Sequence, residues 1–463
     1  MSEGSAPSRT TAASSRDERY FAWGLALIGA AALAIRFVYV LVNRADINFG
    51  GDAYFYHTGA NLLVHGHGFI QPYLYNHDHM VVQAADHPPG YLVFLAVPSA
   101  LGMTSSLTHL LWSCVLGTGT VVLVGLLGRA AVGPRVGLLA ATIAAVYPNI
   151  WIPDGSLQAE TAAMFTTALA LLLAYHYLQR PSLLRLVALG AACGAASLTR
   201  SELILLLPLL VVPIALVKGQ RTRRRQLQWL GASVLASLVV IAPWVGYNLT
   251  RFHHPVYLSS QFEVLLASAN CDTTYHGDLL GYFSIECAAA IAKSHHLRGD
   301  QSDEAIVYRR AAIDYVLDHK ERVPVVVAAR VGRMLGVYRP HQQLLFDEFL
   351  DVREEWIART ALYSFYALAL LSVAGAILLR RRRVMLFPLL AAPAAVLITI
   401  VVTYANTRFR APAEVALAVL AAVAIDAAIG WTAQRRGRGR RERADTATED
   451  GSPSSGTLAQ QAR

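Results

Sequence analysis

FAWGLALIGAAALAIRFVYVLV, residues Phe21 to Val42, is the stretch on which the fold turns. Wound as a helix at about 1.5 Å per residue, it matches the roughly 30 Å of hydrocarbon in a bilayer. Further apolar blocks follow it along the chain. In lipid each block must satisfy its own backbone hydrogen bonds, which selects helices over buried strands. Composition agrees: of 463 residues, 55% are hydrophobic and only 15% are charged. Soluble chains carry charge on roughly a quarter of their residues. The sequence therefore predicts an all-α polytopic membrane protein. Its polar start, Ser2 to Arg19, lacks the short apolar core and cleavage site of a signal peptide, so the first block is expected to stay as an anchor.

The net charge of +9 sits largely in short arginine clusters between the blocks. These are Arg129 and Arg135; Arg180 and Arg185; Arg221 with Arg223 to Arg225; and Arg380 to Arg383. The tail adds Arg435, Arg436, Arg438, Arg440 and Arg441. This is the spacing of the positive-inside rule, and no soluble basic domain presents the charge to nucleic acid. With the clusters in the cytoplasm, the N-terminus is inside and about ten transmembrane helices are expected. Residues 1–19 are expected to be a disordered cytoplasmic N-terminus. Residues 20–247 would hold helices one to seven, at about Phe21–Val42, Thr104–Leu127, Val136–Trp151, Leu157–Leu178, Leu183–Leu198, Leu203–Val217 and Leu227–Tyr247. An outer loop occupies 43–87, and the short, proline-rich Pro88–Leu101 suits a half-buried or re-entrant helix. The polar segment 248–355 is extracytoplasmic. Helices eight to ten fall in 356–431, and 432–463 is a basic disordered cytoplasmic tail. No internal repeat is visible.

The cytoplasmic loops are short and basic, whereas the two long outer segments carry most of the His, Asp and Tyr outside the helices. Chemistry is therefore expected on the outer face, where no nucleotide is available. The first outer loop reads Gly50-Gly51-Asp52-Ala53-Tyr54-Phe55-Tyr56, then Gly66-His67-Gly68-Phe69, then Asp86-His87-Pro88-Pro89-Gly90-Tyr91. Asp52 lies just past the membrane exit. A carboxylate there can take a proton from an attacking hydroxyl, partial desolvation raising its pKa toward the working pH. It can equally cap the helical run that follows, and residue type alone favours the cap. Pro-Pro-Gly by itself signals only a chain reversal.

In this order the motifs resemble the GT-C class of integral-membrane glycosyltransferases. More narrowly, they are similar to the broad family of protein O-mannosyltransferases, the lipid A aminoarabinose transferase and the RgtA/B/C/D-like enzymes. Beyond the first loop the resemblance rests on Tyr147-Pro148 with Gln158-Ala159-Glu160, then Leu198-Thr199-Arg200, then Pro243-Trp244 with Asn248. It ends on Tyr404-Ala405-Asn406-Thr407-Arg408-Phe409-Arg410-Ala411-Pro412. The resemblance implies that Asp52 is catalytic at the acceptor. It also implies that Arg408 and Arg410 lie near a donor phosphate, which guanidinium forks suit; snorkelling to lipid headgroups is the alternative. Tyr54, Tyr56, Asp86, His87 and Glu160 are the expected substrate-binding companions. Asp154 is a further candidate, or else a solvated loop carboxylate. Many relatives carry Arg before the Asn of the Pro-Trp element, where this chain has Gly246-Tyr247-Asn248; Arg251 is the candidate for that contact.

The first loop also holds His57, His65, His67, His77, His79 and His87. They lack the i,i+4 or closed four-ligand spacing of a zinc site, so no metal site is assigned. No cofactor is firmly implied, although a divalent metal stays possible. Cys114 and Cys193 fall inside helices as packing residues. Cys271 and Cys287 lie in an oxidising compartment and are expected to pair, closing a loop of about 15 residues worth roughly 3 kcal/mol. Ile306 to Leu317 reads as an amphipathic helix. Pro324 to Val337, with Arg330 and Arg333 one turn apart, reads as a helix lying in the membrane interface. The expected function is an inverting glycosyltransferase of a bacterial plasma membrane, moving a hexose or pentose from a polyprenyl-phosphate donor to an extracytoplasmic glycan, lipid or protein hydroxyl. The alternative is a multipass transporter or flippase of envelope lipids. That class buries ionisable residues near the midplane and shows inverted repeats; here the polar residues gather at the outer rim.

Overall fold

A computed structural model of the chain describes residues 9–44, 49–217, 222–297 and 299–449. Among these there is no strand, only helices, turns and one isolated antiparallel bridge between Ile70 and Gln83. Helix α1 (Arg9–Asn43) leads to α2 (Gly51–Val64) and α3 (Pro72–Asp78), which fill the first loop, and α4 (Gly90–Ala100) is the short proline-rich helix. Then come α5 (Ser106–Ala131), α6 (Pro134–Val146), α7 (Pro148–Trp151), α8 (Glu160–Gln179) and α9 (Leu183–Ser197). α10 (Val212–Val217) and α11 (Arg223–Leu249) follow. The polar segment folds as α12 (Gln261–Ala269), α13 (Asp272–Tyr275), α14 (Ile285–Ser294), α15 (Gln301–Asp318), α16 (Val323–Met334) and α17 (Pro340–Phe349). α18 (Glu355–Arg381), α19 (Phe387–Val402) and α20 (Ala411–Glu449) return to the bundle.

Six of the described helices are long and apolar enough to cross a membrane: Asp17–Asn43, Ser106–Ala131, Glu160–Gln179, Arg223–Leu249, Glu355–Arg381 and Thr407–Arg436. The chain is thus a multipass membrane protein. α6 and the turns after it make a seventh span if counted together across a 73° bend. Leu183–Ser197, Ser201–Val217 and Phe387–Val402 stand where the other three crossings are expected, but they are shorter. α9 has 15 residues and α19 has 16, a rise of roughly 23–24 Å, so ten full crossings do not follow from length. Where the sequence reading places disorder at 9–19 and 432–449, the structure continues α1 and α20 as helix. Extension of a helix already nucleated is cheap through Ala, Arg and Glu. Residues 1–8 and 450–463, and Arg221 of the arginine clusters, lie outside the described residues.

The bend has a local cause. Pro148 lacks an amide proton and disfavours helical ψ at the residue before it, so α6 stops at Val146 and Tyr147 is extended (φ −75°, ψ 116°). The chain then turns through Ile152–Ser156 into the start of α8. Elsewhere the helices close by means of small residues, as membrane packing favours. A Cβ on Gly194 of α9 would lie 2.7 Å from the Ser237 carbonyl of α11, and one on Gly190 would collide with that of Ser233.

The polar segment packs on the bundle through α16 against α19 and α17 against α18. Cys271 and Cys287 are joined in it by a disulfide, and Cys114 and Cys193 are free and buried. α16 does not present its arginines to an interface. Arg330 and Arg333 are buried and donate to the carbonyls of Val401 and Ala269, and of Leu280 and Asp278. Unpaired backbone acceptors at helix and turn ends draw the guanidinium groups inward. Arg251 acts in the same way, donating to the carbonyls of Phe69 and Ala84 and to the Asn248 side chain. It fastens the first loop to α11 and does not line the pocket described below.

Candidate functional site

The site forms where the ends of α1, α2, α8 and α20 meet the chain between α17 and α18. At its floor, Gly50 is extended and Gly51 takes φ +56°, a left-handed value that glycine adopts without steric cost. That turn starts α2. Gly50 holds the N-cap position with no side-chain cap bond, and Asp52 stands in the first helical turn. The capping role for Asp52 is therefore excluded: its carboxylate points to other partners.

Those partners come from the start of α20. Asn406 Oδ1 accepts the Arg408 amide at 3.1 Å and opens a tight turn, Thr407–Arg410, ahead of α20. The turn separates its two arginines. Arg408 is bonded to three carboxylates: Asp52 through Nη2, Glu160 through Nε at 2.8 Å, and Asp351 through Nη1 at 3.1 Å. Arg410 is buried in the bundle, where Nε donates to Glu414 at 3.1 Å and Nη1 to the Met334 carbonyl at 2.7 Å, with the Phe365 ring centroid 3.7 Å away. Arg410 is thus not placed beside Arg408 in an outer cavity as the sequence reading expects.

A pocket opens over this ion cluster, lined by Arg44, Phe49, Asp52, Gln158, Asp351 and Arg408, among others. His87 Nε2 lies 3.5 Å from Asp52 Oδ1, and its ring packs 5.0 Å from both Phe55 and Tyr56. Burial would raise the Asp52 pKa, but the Arg408 guanidinium and the His87 imidazole outweigh it and hold the carboxyl well below its usual range. The expectation of a raised pKa is corrected accordingly. Asp52 is therefore an ionised, ion-paired carboxylate.

Glu160 is 1% exposed at the start of α8 and is shared between Arg408 and Arg200. Arg200 also binds Glu202 at 2.5 Å. The Pro-Pro-Gly and Leu-Thr-Arg elements are brought together by one close approach. The Gly90 amide donates to the Leu198 carbonyl at 2.7 Å, and a Cβ on Gly90 would lie 2.6 Å from that oxygen. Tyr56 is buried against His87 and Tyr91. Tyr54 turns aside, its ring 4.5 Å from Tyr73 and its hydroxyl accepting from Asn76. Asp86 is likewise set apart: it accepts from Gln71 at 3.2 Å and from Gln301 at 2.9 Å, joining the first loop to α15.

Asp351 escapes sequence reasoning, whereas Asp154 is one of its candidates. Asp351 comes from the polar segment and is held by Gln158 as well as Arg408; nothing in its local sequence distinguishes it from a solvated acid. Asp154 is fully buried, not solvated, and pairs with Arg36 of α1 at 2.7 Å while accepting from Thr161. Here a signal exists: Arg36 is the lone charge in the opening apolar run, and an intramembrane charge requires a partner. Arg36 and the Arg410–Glu414 pair also put ionisable side chains within the apolar helices Asp17–Asn43 and Thr407–Arg436. Among the described residues, the group of three side chains close enough to share a metal ion is His253, Asp300 and Asp303. It lies outside the pocket, and Asp300 and Asp303 already form the capping box of α15.

Comparison with solved structures shows the fold, which is shared with integral-membrane glycosyltransferases of the GT-C type. Within it, residues 86–247 match the family described as dolichyl-phosphate-mannose-protein mannosyltransferase. The chain is similar to the archaeal oligosaccharyltransferase AglB of Archaeoglobus fulgidus, solved with an inhibitory peptide and a dolichol-phosphate. That likeness has a TM-score of 0.54 and 17% identity over 96% of this chain and 53% of that one. A structure of the Archaeoglobus fulgidus oligosaccharyltransferase with Zn and sulfate gives a TM-score of 0.52 and 15% identity over 89% and 50% of the two chains. The chain therefore spans about half the length of these structures. No curated protein matches the sequence.

Proposed function

We propose that the chain is a glycosyltransferase that moves a hexose or pentose from a polyprenyl-phosphate donor to an acceptor hydroxyl on the extracytoplasmic side of a bacterial plasma membrane, with inversion at the anomeric carbon. The observation that carries this reading is the placement of Arg408 on Asp52, Glu160 and Asp351 at the edge of one pocket. A donor phosphate entering the pocket competes with the carboxylates for that guanidinium, which binds phosphate oxygens through a planar fork. Asp52 then loses its main counterion and gains basicity. It takes the proton of the acceptor hydroxyl as that oxygen bonds to the anomeric carbon. The bond from the anomeric carbon to the phosphate oxygen breaks, and the leaving polyprenyl phosphate keeps its electron pair beside Arg408. Single displacement inverts the configuration.

The acceptor is an envelope glycan, a lipid or a protein hydroxyl. The disulfide between Cys271 and Cys287 supports the outer placement, since such bonds persist on the oxidising side of a membrane, and the same segment delivers Asp351 to the pocket. The full-length chain, reconstituted in vesicles with a synthetic polyprenyl-phosphate sugar and candidate acceptors, should release polyprenyl phosphate and form a glycoside of inverted configuration. Donor carried across the bilayer with its sugar–phosphate bond intact would overturn the reading in favour of a lipid flippase.

A further inference from the structure

Arg44 stands one residue beyond α1, only 2% exposed, and lines the pocket together with Asp52 and Arg408. Its Nε donates to the Tyr39 hydroxyl at 2.8 Å, and Nη2 lies 3.2 Å from Glu354 Oε2. Among the described residues Nη1 has no hydrogen bond. Unlike Arg44, the buried Arg36, Arg330, Arg333 and Arg410 do not line this pocket. The pocket thus holds two guanidinium groups, and each is occupied by a carboxylate from the short stretch between α17 and α18: Asp351 on Arg408, Glu354 on Arg44.

Carboxylates stand where a phosphoryl group would be bound, since both present paired anionic oxygens to a planar fork. Glu354 is 26% exposed, so it can turn to water when displaced, and its desolvation does not oppose the exchange. Gln158 lines the same pocket and is buried, with Oε1 lacking a hydrogen-bond partner. That oxygen supplies an acceptor for a ligand hydroxyl.

We propose that Arg44 is the second phosphate-binding guanidinium of the site, giving up Glu354 to take one phosphoryl oxygen of the donor while Arg408 takes another; the proposal rests on the reading of the chain as a polyprenyl-phosphate-dependent transferase. It gives Arg44 the donor contact that the sequence reading assigned to Arg410.

The test is binding of a polyprenyl monophosphate to the full-length chain in nanodiscs, with inorganic phosphate and phosphatidylglycerol as separate arms. Arg44→Gln should weaken binding of the polyprenyl monophosphate about tenfold or more, the loss of one charge-assisted contact. Arg44→Lys should fall between the two. Glu354→Gln removes the competing anion and should tighten binding, a change that misfolding cannot imitate. Inorganic phosphate binding with the same dependence on Arg44 would support the anion cradle apart from the lipid chain. Native affinity in Arg44→Gln would overturn the proposal. So would weaker binding in both Arg44→Gln and Glu354→Gln, which would make the pair a strut, or an Arg44-dependent preference for phosphatidylglycerol. A native chain that binds no polyprenyl monophosphate would instead sink the transferase reading itself.

Discussion

Asp52→Asn should lower turnover by about 10² to 10⁴, the contribution of a positioned base, while leaving the polyprenyl phosphate bound. Structural damage is an insufficient explanation for such a loss. Asn keeps the size of Asp, and Arg408 retains Glu160 and Asp351 when Asp52 no longer carries charge. The N-cap of α2 is Gly50, so the substitution removes no helix cap. A lost anion beside Arg408 also removes a competitor for the donor phosphate, so donor affinity should hold or rise as turnover falls. The two readouts together, single-turnover rate and donor binding, separate a missing base from a collapsed pocket. An Asp52→Asn chain with native turnover would overturn the assignment and pass the role to Glu160, since Asp86 is committed to Gln71 and Gln301.

Arg408→Ala should have the largest combined effect on stability and binding. It strips one guanidinium from three carboxylates at once. Glu160, 1% exposed, would keep Arg200, and Asp351 would keep Gln158 and Arg353. Breaking a buried ion pair by removing one partner costs about 3–5 kcal/mol, and the part-exposed Asp52 contact adds little to that. Donor affinity should fall about tenfold or more on top of the lower unfolding midpoint. Arg408→Lys is the informative partner. A point charge can neutralise the carboxylates but cannot present a planar fork, so Lys should restore most of the stability and only part of the donor affinity. Donor affinity equal to native in both variants would return Arg408 to a purely structural part.

The fold class was legible because it depends on a long-range average: apolar runs, sparse charge and arginines between blocks each survive small local errors. The span count was less so. α9, the Ser201–Val217 stretch and α19 are apolar but short, and length is the quantity that hydropathy reads least well when bundle neighbours shield a helix. At the site, Asp52, His87, Glu160 and Arg408 were reached through the order of motifs, and the structure brings all four into one cluster. Arg410 and Asp86 were reached by the same route and are placed elsewhere. Two residues apart on a tight turn, Arg408 and Arg410 reach different partners, and sequence spacing does not encode that choice. Asp351, Arg44 and Glu354 were not legible at all. They enter from segments distant in sequence, and their residue types in a polar loop or at a membrane boundary have ordinary solvated explanations.

The proposed exchange of Arg408 between Asp52 and the donor phosphate has a consequence for kinetic order. An acceptor arriving first meets a base whose lone pairs are held by a guanidinium, and it forms a complex that cannot react. A donor arriving first frees that base and loads the electrophile in the same event. Under the proposed chemistry the enzyme should therefore follow a compulsory sequence, donor before acceptor. Initial rates would show polyprenyl phosphate competing with the donor, and an unreactive acceptor analogue inhibiting uncompetitively against that donor. The same pairing would keep the site chemically quiet between turnovers, since the carboxylate that could activate water is held by Arg408 until a donor phosphate draws that guanidinium away.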